Sequence, residues 1–130
     1  MTLHVRLVVP EGEIWAGEAE AVVAKTLEGD IGLLTGHSPV LGILSPGSVV
    51  RILPQDRPVG RDWVQAAVGA GFLAIADDKV SILARQATLG ADVNPATAKE
   101  AIAAAIVAGE GGSATAGYLR AQLRAAGDES

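Results

Sequence analysis

Turn-forming residues recur at close, regular intervals between Leu3 and Ala84, and this spacing constrains the fold more than any other feature of the chain. Leu3, Val5, Leu7 and Val9 alternate with His4, Arg6 and Val8 until Pro10, a period of two that reads as a strand. Glu11-Gly12 supplies a turn. Ile14-Trp15-Ala16 makes a short second strand ended by Gly17, and residues 21–26 make a third ended at Glu28-Gly29. Further strands are expected at 31–34, 40–44, 48–53, 62–68, 72–76 and 79–84. Ser45-Pro46-Gly47, Pro54 with Gln55-Asp56-Arg57-Pro58, and Asp77-Asp78 mark turns between them. Many short strands punctuated in this way predict an antiparallel β-sandwich or flattened barrel over residues 1–86.

The pattern changes after Gln86. Residues 87–93 read as a linker, and Asn94-Pro95 then opens a helix, Asn being a favoured N-cap and Pro a favoured first helical residue. Ala98, Ile102, Ala105 and Ile106 form one face at helical spacing, with Lys99 and Glu100 off it. Gly109-Glu110-Gly111-Gly112 ends this helix and Ser113 can cap a second. Ala116, Leu119, Leu123 and Ala126 give the second helix a narrow stripe, opposed by Arg120 and Arg124. The chain is therefore expected to be a sandwich, residues 1–86, followed by a linker and C-terminal two-helix hairpin, residues 87–130. Stripes this rich in alanine make marginal helices, so the hairpin should depend on docking.

Several strands, Leu7-Val8-Val9 and 21–24 among them, are apolar on both faces. A sandwich in water needs one apolar face per strand. Either small residues are tolerated at the surface, or a partner subunit covers an outer face.

Composition removes much chemistry. The absence of cysteine excludes disulfides, thiolate catalysis and thiolate metal sites, and the two histidines, His4 and His37, have no metal-ligand spacing. A net charge of −5 without a basic run argues against nucleic acid. The N-terminus lacks the regions of a signal peptide and the longest apolar run, 101–108, is too short to span a bilayer, so no direct membrane insertion is expected. Gly69-Ala70-Gly71-Phe72-Leu73-Ala74 matches a dinucleotide fingerprint, but Ile75-Ala76 leads into the Asp77-Asp78 turn and another strand, not the required helix. No catalytic, cofactor-binding or metal-binding residues are assigned.

One stretch carries most of the information: Gly29-Asp30-Ile31-Gly32-Leu33-Leu34-Thr35-Gly36-His37-Ser38-Pro39. Glycines frame a short apolar strand and leave Asp30, His37 and Ser38 at its ends, an arrangement suited to binding. A hydrolytic reading fails because His37 and Ser38 are adjacent, which makes a base-to-nucleophile hydrogen bond awkward.

The order Gly-Asp-Ile-Gly-x-Leu-x-Gly-His-x-Pro-x-Leu resembles the signature of the F-type ATP synthase epsilon subunit. The likeness runs from about Leu3 to Ala84, through Val9-Pro10-Glu11-Gly12-Glu13-Ile14-Trp15-Ala16-Gly17, Leu44-Ser45-Pro46-Gly47 and Val80-Ser81-Ile82-Leu83-Ala84. It implies an N-terminal β-sandwich with a two-helix hairpin, and a non-catalytic rotor subunit of the central stalk that joins gamma to the c ring. Such a subunit is peripheral, at the cytoplasmic face of the cell membrane, with transient contact to alpha and beta. By the same resemblance Asp30 faces the polar loops of the c ring and His37 lies close to the gamma–ring junction. Glu28, Gly29 and Ser38 are further partner-binding residues, and Asp30 and His37 share one end of the sandwich. Arg120 and Arg124 are the residues implied for a regulatory arm acting on ATP hydrolysis. Some bacterial members bind ATP through Ile-Asp-x-x-Arg-Ala at the first helix; here Asn94 and Thr97 replace the charged pair. The alternative is a free-standing β-sandwich that senses a nucleotide or another ligand.

Overall fold

The computed structural model describes residues 2–55, 63–109 and 114–126. The alternation in β1, Leu3–Val9, is realised in full: Leu3, Val5, Leu7 and Val9 are buried, while His4 and Arg6 are exposed. β1 pairs antiparallel with β2, Gly12–Thr26, across a one-residue bulge between Leu7 and Val8. Its other edge pairs in parallel with β8, Lys79–Ala84, which follows β7, Gly71–Ala76, in a tight hairpin. β4, Val40–Ile43, closes this side of the sheet against β7. The parallel pair departs from the all-antiparallel expectation. It joins strands far apart in the chain, which no local turn signal reports.

β2 corrects the sequence reading most clearly. The expected break at Gly17 is absent, and a single strand of 15 residues runs through it. Gly17 keeps its ladder position opposite Val5, and the indole of Trp15 lies against it, so close that a Cβ there would come within 3.1 Å of the ring. A glycine covered in this way is a strand residue and not punctuation. The first half of β2 pairs with β1. Beyond an irregularity between Ala19 and Ala21, the second half pairs with β5, Ser48–Pro54, on one edge and β3, Gly29–Leu33, on the other. β6, Val64–Val68, and β9, Ala87–Leu89, extend this layer beyond β5. The two layers close on one core containing Leu3, Leu7, Leu33, Leu44, Ile52, Leu73 and Ile82. They also meet at one edge, where Thr26 bridges to Leu44 and Leu27 N–H donates to Ile43 C=O at 3.0 Å.

Part of the expected linker is therefore structure: Ala87–Leu89 pairs with β6 and Gly90–Asp92 forms a 3-10 turn. A three-residue Ala-Thr-Leu strand is too short for periodicity to reveal. α1, Pro95–Val107, starts as expected, with Asn94 Oδ1 accepting from Thr97 N–H at 3.3 Å. The proposed cap Ser113, the residues 110–112, Asp62 and the turn at 56–58 lie outside the described residues.

α2, Ala114–Ala125, carries two working faces where the sequence suggests one stripe. Tyr118, Ala121 and Ala125 pack on Val49 and Ala67 of the sandwich. Leu123 instead shares a cleft with Ile102 and Ile106 of α1. Leu119 and Leu123 dominate the apolar stripe in sequence, but small residues let the helix backbone approach the sheet. Gln122 Nε2 donates to Thr88 Oγ1 at 3.1 Å, and the Thr88 and Tyr118 hydroxyls lie 2.6 Å apart.

A close backbone approach between β7 and β8 gives a direct test. A Cβ on Gly71 would collide with the Leu83 carbonyl and come within 2.7 Å of Ala84 Cα, whereas one on Gly32 meets nothing within 4 Å. Gly71→Ala is expected to cost at least about 2 kcal/mol by overpacking. Gly32→Ala should stay within about 0.5 kcal/mol of the parent. Urea unfolding of the two variants checks both.

Candidate subunit-binding site

The β2–β3 turn builds the first part of the site. Thr26 Oγ1 donates to Gly29 C=O at 2.8 Å and accepts from Glu28 N–H at 3.2 Å, fixing a two-residue turn. Gly29 has φ 124°, a conformation that excludes residues with a Cβ. Glu28, Gly29 and Asp30 are all exposed there, and Asp30 pairs across the ladder with Lys25. β3 then enters the core through buried Leu33.

Only after β3 does the chain reach His37 and Ser38. Gly36 N–H donates to Asp78 Oδ1 at 2.7 Å, and His37 N–H donates to Leu34 C=O at 3.2 Å. His37 Nδ1 lies 2.7 Å from Ser38 C=O, which requires the proton on Nδ1. The expectation that Asp30 and His37 share one end of the sandwich is therefore corrected. Asp30 lies near the start of β3 and His37 beyond its end, so about 10 Å of strand, from Asp30 to Leu33, runs between them. Glu28 and Gly29 stay with Asp30, and Ser38 stays with His37. The glycines mark turns at both ends of β3, and the sequence reading merges those turns.

Basic groups gather near Asp30. Lys25, Asp30, Arg51 and Arg124 line an open cleft of about 410 Å³ where α2 meets the sheet. The Arg51 guanidinium sits 4.9 Å from the centre of the Trp63 ring. Arg124 Nη2 donates to Gly47 C=O at 2.7 Å, while Arg120 lines the separate cleft between α1 and α2. The two arginines thus have different surroundings: one is tied to the sandwich, the other faces α1.

The sequence reading raises a covered outer face but does not assign its residues, and here they form a row. Ile43, Phe72, Leu83 and Val8 stand in register across β4, β7, β8 and β1, all on the outer face. Ile43 is 60% exposed, Phe72 44% and Leu83 38%, with Leu41, at 68%, one row along β4. Leu27, 64% exposed, adjoins Ile43 through its backbone hydrogen bond. The inner faces of the same strands supply Leu73, Ile75, Val80 and Ile82 to the core. A row of large apolar side chains over four strands is more than scattered surface leucines, and it suits coverage by a partner. Its signal is the presence of strands apolar on both faces. That signal is readable at Val8, whereas pairing across β4, β7 and β8 is needed to assemble the row.

Among the described residues no group of histidines and carboxylates could hold a metal ion. No described helix is long and apolar enough to cross a membrane. The described surface offers an apolar row, an exposed carboxylate at Asp30 and the loop that carries His37.

Residues 2–90 match the family model "ATP synthase, Delta/Epsilon chain, beta-sandwich domain". The ATP synthase epsilon chain of Thermobifida fusca is 49% identical over 104 residues, covering 79% of this chain and 74% of that one. The ATP synthase epsilon chain of Frankia casuarinae is 45% identical over 89 residues, covering 68% of this chain and 99% of that one. A chain of the Euglena gracilis mitochondrial ATP synthase OSCP/F1/c-ring structure superposes with a TM-score of 0.67 at 20% identity. The alignment covers 82% of this chain and 64% of that longer one, and the likeness speaks to fold.

If the outer row is surface and not core, its residues should be dispensable to the isolated fold. Ile43→Lys is expected to change unfolding free energy by less than about 0.5 kcal/mol. Leu73→Ala, on the buried face of neighbouring β7, should cost about 2–5 kcal/mol. Denaturant titration of both variants makes the comparison.

Proposed function

Because the chain belongs to the ATP synthase delta/epsilon family, we propose that it acts as an epsilon-type rotor subunit, coupling by contact and contributing no catalytic group. The observation that carries this reading is the apolar row Ile43–Phe72–Leu83–Val8. A surface of this kind supplies affinity, while rim charges set register. Gamma is the partner we assign to it. Asp30, with Glu28 and Gly29, meets the polar loops of the c ring, and His37 with Ser38 forms a second contact near the gamma–ring junction. The separation of these groups along β3 suits a subunit that touches two partners at once. The subunit then sits peripherally at the cytoplasmic face of the cell membrane.

The C-terminal hairpin is the candidate regulator of ATP hydrolysis, through transient contact with alpha and beta. For α2 to reach them, Arg124 must leave Gly47 and Tyr118 must leave Thr88. The rival reading, a free-standing nucleotide sensor, is not favoured by family membership. Asn94, at the position of the missing charge, is engaged in capping Thr97.

Reconstitution with the remaining synthase subunits tests the proposal. The parent chain should be captured with gamma, alpha and beta. Ile43→Lys should lose at least about tenfold in affinity for gamma, equivalent to about 1.4 kcal/mol. Asp30→Lys should leave capture by gamma unchanged and reduce coupling of proton flow to ATP synthesis. Capture of Ile43→Lys at parental affinity would refute the assignment of the apolar row.

Nucleotide binding gives an independent check. No saturable ATP isotherm is expected from the isolated chain at millimolar ATP, and no rise in thermal stability through mass action. Calorimetry that shows saturation would restore the sensor reading.

A further inference from the structure

The hairpin joining β7 to β8 turns on two aspartates and no glycine. Ala76 and Lys79 form the closing pair, leaving Asp77 and Asp78 as a two-residue loop with φ of 52° and 61°. Such a turn needs left-handed backbone at both positions and favours glycine at the second. Asp78 instead carries a carboxylate, and that carboxylate reaches a different part of the chain. Its Oδ1 accepts from Gly36 N–H at 2.7 Å, across 42 positions of sequence, while its carbonyl accepts from His4 N–H at 2.8 Å. Gly36 immediately precedes His37, whose own amide and ring nitrogen are both held within the same loop.

We propose that Asp78 is a positioning residue for subunit docking: its carboxylate fixes the Gly36 amide and so sets where His37 is presented. The proposal rests on the reading of His37 as a partner contact. The side chain works as an anionic acceptor in a charge-assisted hydrogen bond, stronger than a neutral one. Asp78 thus combines a left-handed backbone conformation with a hold on the loop that leads into β4. Nothing in the local sequence around 36–38 reports this, because the partner lies on a hairpin 42 residues away.

Two substitutions separate acceptor from backbone. Asp78→Gly suits φ 61° and removes the acceptor; Asp78→Asn retains an oxygen acceptor and tolerates the left-handed region. Hydrogen exchange of the Gly36 amide in the full chain and affinity for the reconstituted synthase are measured together, with His37→Ala as reference. Asp78→Gly should keep its thermal stability, exchange Gly36 at least about tenfold faster and lose about two- to tenfold in affinity, the range of a net hydrogen bond. Asp78→Asn, which keeps only a neutral acceptor, should fall between Asp78→Gly and the parent in both. Unchanged Gly36 exchange in Asp78→Gly overturns the proposal, as does Asp78→Asn behaving like Asp78→Gly. If His37→Ala weakens assembly and Asp78→Gly does not, Asp78 alone is refuted. If His37→Ala has no effect, the contact reading of His37 falls and takes the docking role of Asp78 with it, whatever Gly36 does.

Discussion

The backbone ladder of β2 holds both layers of this molecule together. Its first half is hydrogen-bonded to β1, and its second half lies between β5 and β3. One continuous strand therefore sets the relative position of the two faces, with no flexible linker between them. Buried backbone groups must be paired, so the irregularity between Ala19 and Ala21 is where the strand can change partners at lowest cost. Everything proposed for binding hangs from this frame. The apolar row sits on the layer that contains β1, and Asp30 sits on the ladder of β2 itself.

The frame also explains why the polar contacts are rigid without being buried. Glu28 and Asp30 project from a turn stapled by the Thr26 hydroxyl, and His37 projects from a loop tied to the β7–β8 hairpin. Neither group is held by its own packing. Each is held by a neighbouring backbone amide or carbonyl, so the side chains remain available. Little backbone entropy is then left to lose on association, and preorganisation of this kind favours affinity.

The sequence made the elements readable wherever a local rule governed them. Period two placed β1, Asn94-Pro95 placed the start of α1, and Asp77-Asp78 placed the turn between β7 and β8. It failed where the deciding contact was distant. Gly17 looked like a stop because its cover, Trp15, and its ladder partner, Val5, count only once β1 and β2 are paired. The α2 face that meets the sandwich was hidden because Ala121 and Ala125 are weak apolar signals next to Leu119 and Leu123. Of the candidate site, the individual residues could be named from the motif. Their separation by β3 could not, nor could the row of Ile43, Phe72, Leu83 and Val8, which exists only through register across four strands.

The smallness of the α2 interface has a consequence for solution behaviour. On the sheet the helix covers Ala67 and half-buried Val49 with Tyr118, Ala121 and Ala125, and its Leu123 is turned toward α1. If α2 lifts away with α1 still attached, the surface newly wetted on the sheet is mostly methyl groups and a short valine. Such a patch is too thin to recruit other hydrophobic surfaces. An arm attached through larger residues would leave an aggregation-prone scar each time it moved. What holds α2 on the sandwich is largely directional: a guanidinium on a carbonyl and two hydroxyls in contact.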